Sequence, residues 1–213
     1  MRMLGWIMAA ALALAGTAAG AAPSWRDFPG VSNTSFVESN GDRALQLSID
    51  VPAPQQAVFA TFTTSEGFRS WAAPVARVDL RVGGMIEDSY DARAKLGDPD
   101  NIRNEILAYV PNRLLVIRNV QAPRAFADPE LFRKTVTVIE FAPIDAGRTR
   151  VTVTNSGYGA GPAFDRIYGH FEWGNAYTLA ELRRRFETGP TDWSKSAAQR
   201  ASTDASRRVG GGK

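Results

Sequence analysis

Few side chains in this 213-residue chain are equipped for chemistry. There is no cysteine, which removes disulfides, thiolate nucleophiles and zinc–thiolate centres together. His170 is the single histidine, so a two-histidine metal site is out of reach. A Ser-His-Asp triad would need an oriented serine and carboxylate that nothing in the sequence marks. His170 stands one step off an apolar helical stripe, which reads as a surface or half-buried helix position. Gly157, Gly159 and Gly161 imitate a dinucleotide-binding loop between a strand and a helix. The third glycine has the wrong offset, Pro162 follows, and no second parallel strand comes after. A turn needing positive φ is the better account. No metal, no cofactor and no catalytic residue is assigned.

The carboxylates are more informative. Asp88 shares a strand face with Ile86 and Tyr90, and alternation puts that face inside. A buried carboxyl has a raised pKa and can act as an acid or a base. The plainer alternatives are a bulge that turns Asp88 outward, or a partner such as Arg118. Asn175 is a lone amide in a long apolar helical stripe. If buried, it requires a hydrogen-bond partner: a sheet residue such as Arg118, a water, or the polar end of a ligand. The aromatics Phe62, Phe68, Trp71, Tyr90, Phe141, Tyr168 and Phe171 either line a pocket or fill a core.

These residues need elements to hold them. Residues 31–38 and 43–51 flank Asn40-Gly41, a dipeptide that tolerates the positive φ of a tight hairpin. Leu45, Leu47, Ile49 and Val51 alternate with polar residues, so one face of that strand is buried. Pro52 and Pro54 end it. Two short helices follow, over 55–63 and 65–71. Strands are expected at 75–82, 85–91, 102–110, 113–121, 133–142 and 149–157. Gly83-Gly84, Pro111-Asn112 and Asp145-Ala146-Gly147 separate them, and such short connections make antiparallel neighbours. The segment 122–132 is longer and has room for a helical turn over a cavity mouth. Phe164, Tyr168, Phe171, Asn175, Leu179, Leu182 and Phe186 then recur at steps of three and four, one stripe of a helix about six turns long. Gly189-Pro190 ends it. Alternating βαβ units are absent, so the fold class is α+β: a curved antiparallel sheet of seven or eight strands around a long C-terminal helix.

Composition is that of a globular protein, 44% hydrophobic and 22% charged, which excludes a disordered chain. The formal charge of +3 is unevenly spread. Lys195, Arg200, Arg207, Arg208 and Lys213 against Asp192 and Asp204 put +3 on the tail, and Arg2 adds one, which leaves the body at −1. A near-neutral body lacks the footprint that nucleic-acid binding requires. Arg2, the apolar run Leu4 to Ala15 and the Ala19-Gly20-Ala21 site together read as a secretory signal, with cleavage after Ala21. The expected plan is a signal peptide at 1–21, an arm and first hairpin strand at 22–43, a domain at 44–190 and a disordered basic tail at 191–213. The product is periplasmic or secreted, with no stable membrane insertion after cleavage.

Several stretches, in this order, carry a family resemblance: VPAPQQAVFATFTTSEGFRSW, DLRVGG, ILAYVPNRLLVI, TRVTVTNSGYG and GNAYTLAELRRRF. The chain resembles the START-like helix-grip superfamily (SRPBCC) over about residues 44–188. The nearest branch is the one named after the activator of the heat-shock chaperone ATPase. The resemblance implies a mostly apolar cavity between sheet and helix that takes hydrophobic or amphipathic small molecules. The residues placed around it are Phe62, Phe68, Trp71, Ile86, Asp88, Tyr90, Val116, Arg118, Phe141, Tyr168, Phe171 and Asn175. Two departures stand out. Gly174-Asn175 replaces a Gly-Trp common in that branch, and Arg118 occupies a strand position where relatives often carry an aromatic. Both are expected to bring polar groups to the pocket. An exported copy also departs from a cytosolic chaperone role. Three functions follow: a carrier of a hydrophobic small molecule, a cofactor-free enzyme of the cyclase or dehydratase kind, and an envelope interaction or stress protein without ligand, its protein partner unknown.

Overall fold

The computed structural model describes residues 24–195. The signal at 1–21 and the tail from 196 to 213 lie outside the described residues. The arm opens with a helical turn, Trp25–Asp27, in which Ser24 and Asp27 cap each other's backbone N–H groups. Two-residue strands β1 (Ser32–Asn33) and β2 (Phe36–Val37) both pair with β3 (Arg43–Val51). Gly41 takes φ +89° in the turn between them, as the Asn-Gly signal requires. Helices α1 (Gln55–Thr63) and α2 (Ser65–Arg69) follow, with Thr64 accepting a hydrogen bond from the Gly67 N–H at the start of α2.

The remaining strands are β4 (Val75–Val78), β5 (Met85–Ser89), β6 (Ile102–Val110), β7 (Leu114–Gln121), β8 (Val136–Asp145) and β9 (Arg148–Tyr158). A short helix α3 (Pro129–Phe132) sits in the long connection, and α4 (Pro162–Thr188) closes the domain. Every pairing is antiparallel, and the sheet runs β1-β3-β9-β8-β7-β6-β5-β4 with β2 also on β3. The two tiny strands carry the count to nine, above the seven or eight expected. Gly83 (φ +75°) and Gly84 make the tight β4–β5 connection; a Cβ on Gly84 would lie 2.1 Å from the Asp79 carbonyl. Among the described residues no helix is long and apolar enough to cross a membrane.

The core has two parts. Leu45, Leu47, Ile49 and Val51 of β3 are sealed beneath α4, which contributes Ile167, Ala176, Leu179 and Leu182. At the other end Phe59, Phe62, Trp71 and Phe141 interlock edge to face beneath α1 and α2. The chain beyond Gly189 stays on the body. Thr191 N–H donates to the Ser70 carbonyl (2.8 Å), and the Trp193 indole donates to the Arg69 carbonyl (2.6 Å). The docked part of the chain thus continues past residue 190, because Trp193 finds a backbone acceptor on α2 that the composition of the tail does not reveal.

The loop 91–101 is latched over the convex face of the sheet. Glu87 accepts hydrogen bonds from the Gly97 N–H and from the Asn101 amide (2.8 Å), and the Gln121 amide donates to the Asn101 and Asp98 carbonyls. Burial works against ionisation of Glu87, but those two hydrogen bonds and the charges of Arg103 and Arg77 outweigh it, holding its carboxyl below the usual value. Glu87→Ala is expected to cost about 1.5–3 kcal/mol at pH 7, the range for hydrogen bonds to a charged group. A lowered carboxyl pKa stabilises above the unfolded value and loses that contribution as pH falls through the folded one. The penalty of the substitution should therefore shrink in strong acid. Hydrogen exchange confined to 91–101 checks the location.

Candidate functional site

The inward residues of the sheet follow from register. Leu45, Asn155, Thr137 and Ile117 stand opposite one another across β3, β9, β8 and β7, with Ile106 next on β6. One rank further towards the 122–132 segment, Asn104 faces Asn119 and also Ile86. Beyond these, Asp88 stands between Ala76 and Ile102. Helix α4 packs on β3 and β9, and at this end it leaves the rest of the concave face less covered. Ile102, Asn104, Ile117, Thr137 and Val153 of the sheet are only half-buried, as are Phe171 and Asn175 of α4. The concave face is thus less covered between the N-terminal half of α4 and strands β5 to β8, and this shallow cleft is the candidate site. Aromatics gather at its mouth: Phe132 stacks on Phe171 with centroids 4.5 Å apart, and Phe126 meets Phe171 and His170. Burial alone lowers the pKa of His170, which keeps the ring neutral near pH 7.

The floor of the cleft is polar. The Asn175 amide donates to Asn155 Oδ1, and the Asn155 amide donates to Thr137 Oγ1 (2.6 Å). The Asn119 amide donates to Gln121 O (3.0 Å), Asn104 Oδ1 (3.2 Å) and Arg103 O (3.3 Å). Its own Oδ1 is buried and without a hydrogen bond among the described residues. Asp88 is 4% exposed. Burial, and then the neighbouring Glu87 carboxylate, push its carboxyl up to about 7. Tyr90 lies two residues on, on the same face. Burial, with the charges of Asp88 and Tyr177 adding to it, raises its hydroxyl far above the usual range, so it remains a donor. Two surface hollows open on the molecule, the second of them at Asn119. One of about 330 Å³ is walled by Gly30, Asp50, Arg148, Arg183 and Glu187, and another of about 470 Å³ by Arg118, Asn119, Val120 and Arg133. Their arginines are already paired with Asp145, Glu187, Glu105 and Glu130, so charge pairs dominate both.

Residues 52–187 match the family described as Activator of Hsp90 ATPase homolog 1-like protein, well over half of the chain. The chain belongs to that family. No curated protein matches it. Solved structures with this fold include the Aha1 dimer from Colwellia psychrerythraea, at 18% identity and TM-score 0.53, covering 68% of this chain and 97% of that one. CalU16 from Micromonospora echinospora gives 16% identity and TM-score 0.53, covering 83% of this chain and 96% of that one. Protein SSP2350 from Staphylococcus saprophyticus gives 19% and 0.52, covering 70% and 95%. At these identities the likeness establishes the helix-grip fold alone.

Against that family frame the expected lining residues separate into three groups. Phe171 and Asn175 stand on the N-terminal half of α4, Asp88 on the inward face of β5, and Tyr90 just past its end. Phe62, Trp71 and Phe141 belong to the interlocked aromatic core, with Phe68 against Trp71, and Ile86 is core as well. Tyr168 packs on Tyr158 (5.2 Å) beneath the Arg43 guanidinium. Val116 and Arg118 are corrected. They share the outward face of β7, where Val116 sits between Ala108 and Val138, and Arg118, with 46% of its side chain exposed, pairs with Glu105 at 2.9 Å. The run Leu114–Ile117 is apolar on both faces, so its sequence carries no phase. Neither Asp88 nor Asn175 is paired with Arg118; the partner of Asn175 is Asn155. The polar residues missed are Asn104, Asn119, Thr137 and Asn155. The available signal was asparagine inside a strand at inward parity, a position the residue otherwise avoids.

Replacing Asn175 by leucine strands Asn155 Oδ1. Stability is expected to fall by about 1–3 kcal/mol, the cost of a buried acceptor without a donor. Urea unfolding measures it. A variant as stable as the parent would show that the Asn175–Asn155 pair contributes nothing.

Proposed function

We propose that this family member binds a hydrophobic or amphipathic small molecule in the cleft between α4 and β5–β8, and that it does so outside the cytoplasm. The observation that carries the reading is the half-buried inward face: Ile102, Ile117 and Phe171 keep apolar surface open to solvent, whereas the inward residues of β3 under α4 are sealed. Burying such surface under a ligand is worth about 25 cal/mol per Å². The polar floor would then orient the ligand's polar end. Export rests on the leader sequence, and the mature chain is expected to begin near Ala22. Native mass spectrometry of protein purified from its own host tests binding. A co-purifying small apolar molecule, displaced by octan-1-ol, supports the reading. An unliganded protein that also fails to take up octan-1-ol overturns it.

A second reading is acid–base catalysis in the same cleft, favoured by one observation, the buried Asp88 carboxyl pushed up to about 7. It needs a reacting group brought by the substrate. Conversion of a bound ligand by the parent and not by Asp88→Asn would establish it.

A further inference from the structure

Asp88 is more than nine-tenths buried, stands at the inward parity of β5 with Ile86, and makes no hydrogen bond among the described residues. Among the described residues no cation faces it. On its own strand the same face carries Ile86, and Tyr90 follows just past the strand end. Across the ladders stand Ala76 of β4 and Ile102 of β6. Among the described residues the charge bearing on it is the Glu87 carboxylate, which has the same sign and is engaged on the convex side with Gly97, Asn101, Arg77 and Arg103. From α4 the nearby titratable group is Tyr177, which acts on Tyr90. Arg118, the one cation expected here, faces the opposite side of the sheet.

Building on the cleft-binding reading, we infer that the preferred ligand class is an organic cation, an amphipathic amine whose ammonium group pairs with Asp88 while its apolar body runs over the inward face from Ile102, the neighbour of Asp88 across the ladder, towards Ile117. A buried carboxylate without a partner is costly, and a cation delivered with its own apolar wrapping supplies both the missing charge and the missing hydrogen bonds. A carboxylate-bearing ligand would meet two like charges, and a neutral alcohol would leave Asp88 to bind a proton instead.

The test compares octylammonium with octan-1-ol, matched in chain and differing in head group, by titration calorimetry on the full mature chain. At pH 8 the amine should bind at least about tenfold more tightly, a difference of about 1.4 kcal/mol. Asp88→Asn should erase that preference, bringing the two affinities to within about twofold of one another. A second readout needs no variant. Between pH 8 and pH 5 the amine stays protonated while Asp88 takes up a proton, so amine affinity should fall at least about tenfold and alcohol affinity should hold. Equal binding of the two ligands, or an amine preference that survives in Asp88→Asn, overturns the cation inference and leaves the cleft reading standing. Binding of neither ligand overturns both.

Discussion

At pH 8, Asp88→Asn is expected to be more stable than the parent by roughly 2–4 kcal/mol, whereas at pH 4 the two should unfold alike. The sign follows from where the proton sits. The ordinary aspartate value is 3.8, and the folded carboxyl is pushed up to about 7, first by burial and then by Glu87. Between those values the native state keeps a proton that the unfolded chain has released. Raising pH through this window therefore removes stability, and the full penalty is present above about pH 7. At about 1.4 kcal/mol per pH unit, the window corresponds to roughly 4 kcal/mol. The lower end of the expected range allows for a buried amide that has no better partners than the acid. Urea unfolding at the two pH values checks the result. A parent stability that does not fall between pH 4 and pH 7 relative to the variant would mean that Asp88 has a cationic or hydrogen-bonding partner after all.

Phe141→Ala is expected to cost about 3–5 kcal/mol, the range for deleting a buried aromatic ring. Phe141 is fully enclosed, with ring centroids 5.3 Å from Phe59 and 5.2 Å from Phe62, and Phe62 in turn lies 5.0 Å from Trp71. The Trp71 indole is fixed by the Thr61 carbonyl at 3.0 Å, and the ring cannot swing to fill the hole. Removing one member therefore leaves a cavity as well as losing transfer energy. The denaturant midpoint should shift with an unchanged slope. A loss below about 1 kcal/mol would place Phe141 on the wall of an open cavity instead of in a filled core.

The parts of this structure that were legible in sequence are those with a local period. The alternation in Leu45, Leu47, Ile49 and Val51 marked the buried face of β3, and the same alternation put Asp88 inside with Ile86, while Tyr90 falls past the end of that strand. The stripe from Phe164 to Phe186 located α4, and Asn40-Gly41 located the first turn. What was not legible depends on phase or on distance along the chain. Leu114–Ile117 is apolar throughout, so nothing local said that Arg118 would emerge on the convex face beside Glu105. The aromatics of 55–71 carry the same periodicity whether they line a cavity or fill a core, and only their mutual packing decides for the core. The arm's Phe28 meets Trp173 and Tyr177, and Trp193 meets α2; both contacts join segments more than 120 residues apart. Asn119 and Asn155 were readable in principle as amides at inward strand positions. Their role appears only once register sets them beside Asn104 and Thr137.

The central claim is that the inward face at β5–β8 is open and takes an apolar molecule. Methyl NMR of the mature chain titrated with octan-1-ol tests it directly. Shifts should concentrate on the methyl groups of Ile102 and Ile117 and saturate together. Saturable shifts centred on the exposed outer residues Val37, Val82 or Ile144, or no saturable shift at all, would contradict it.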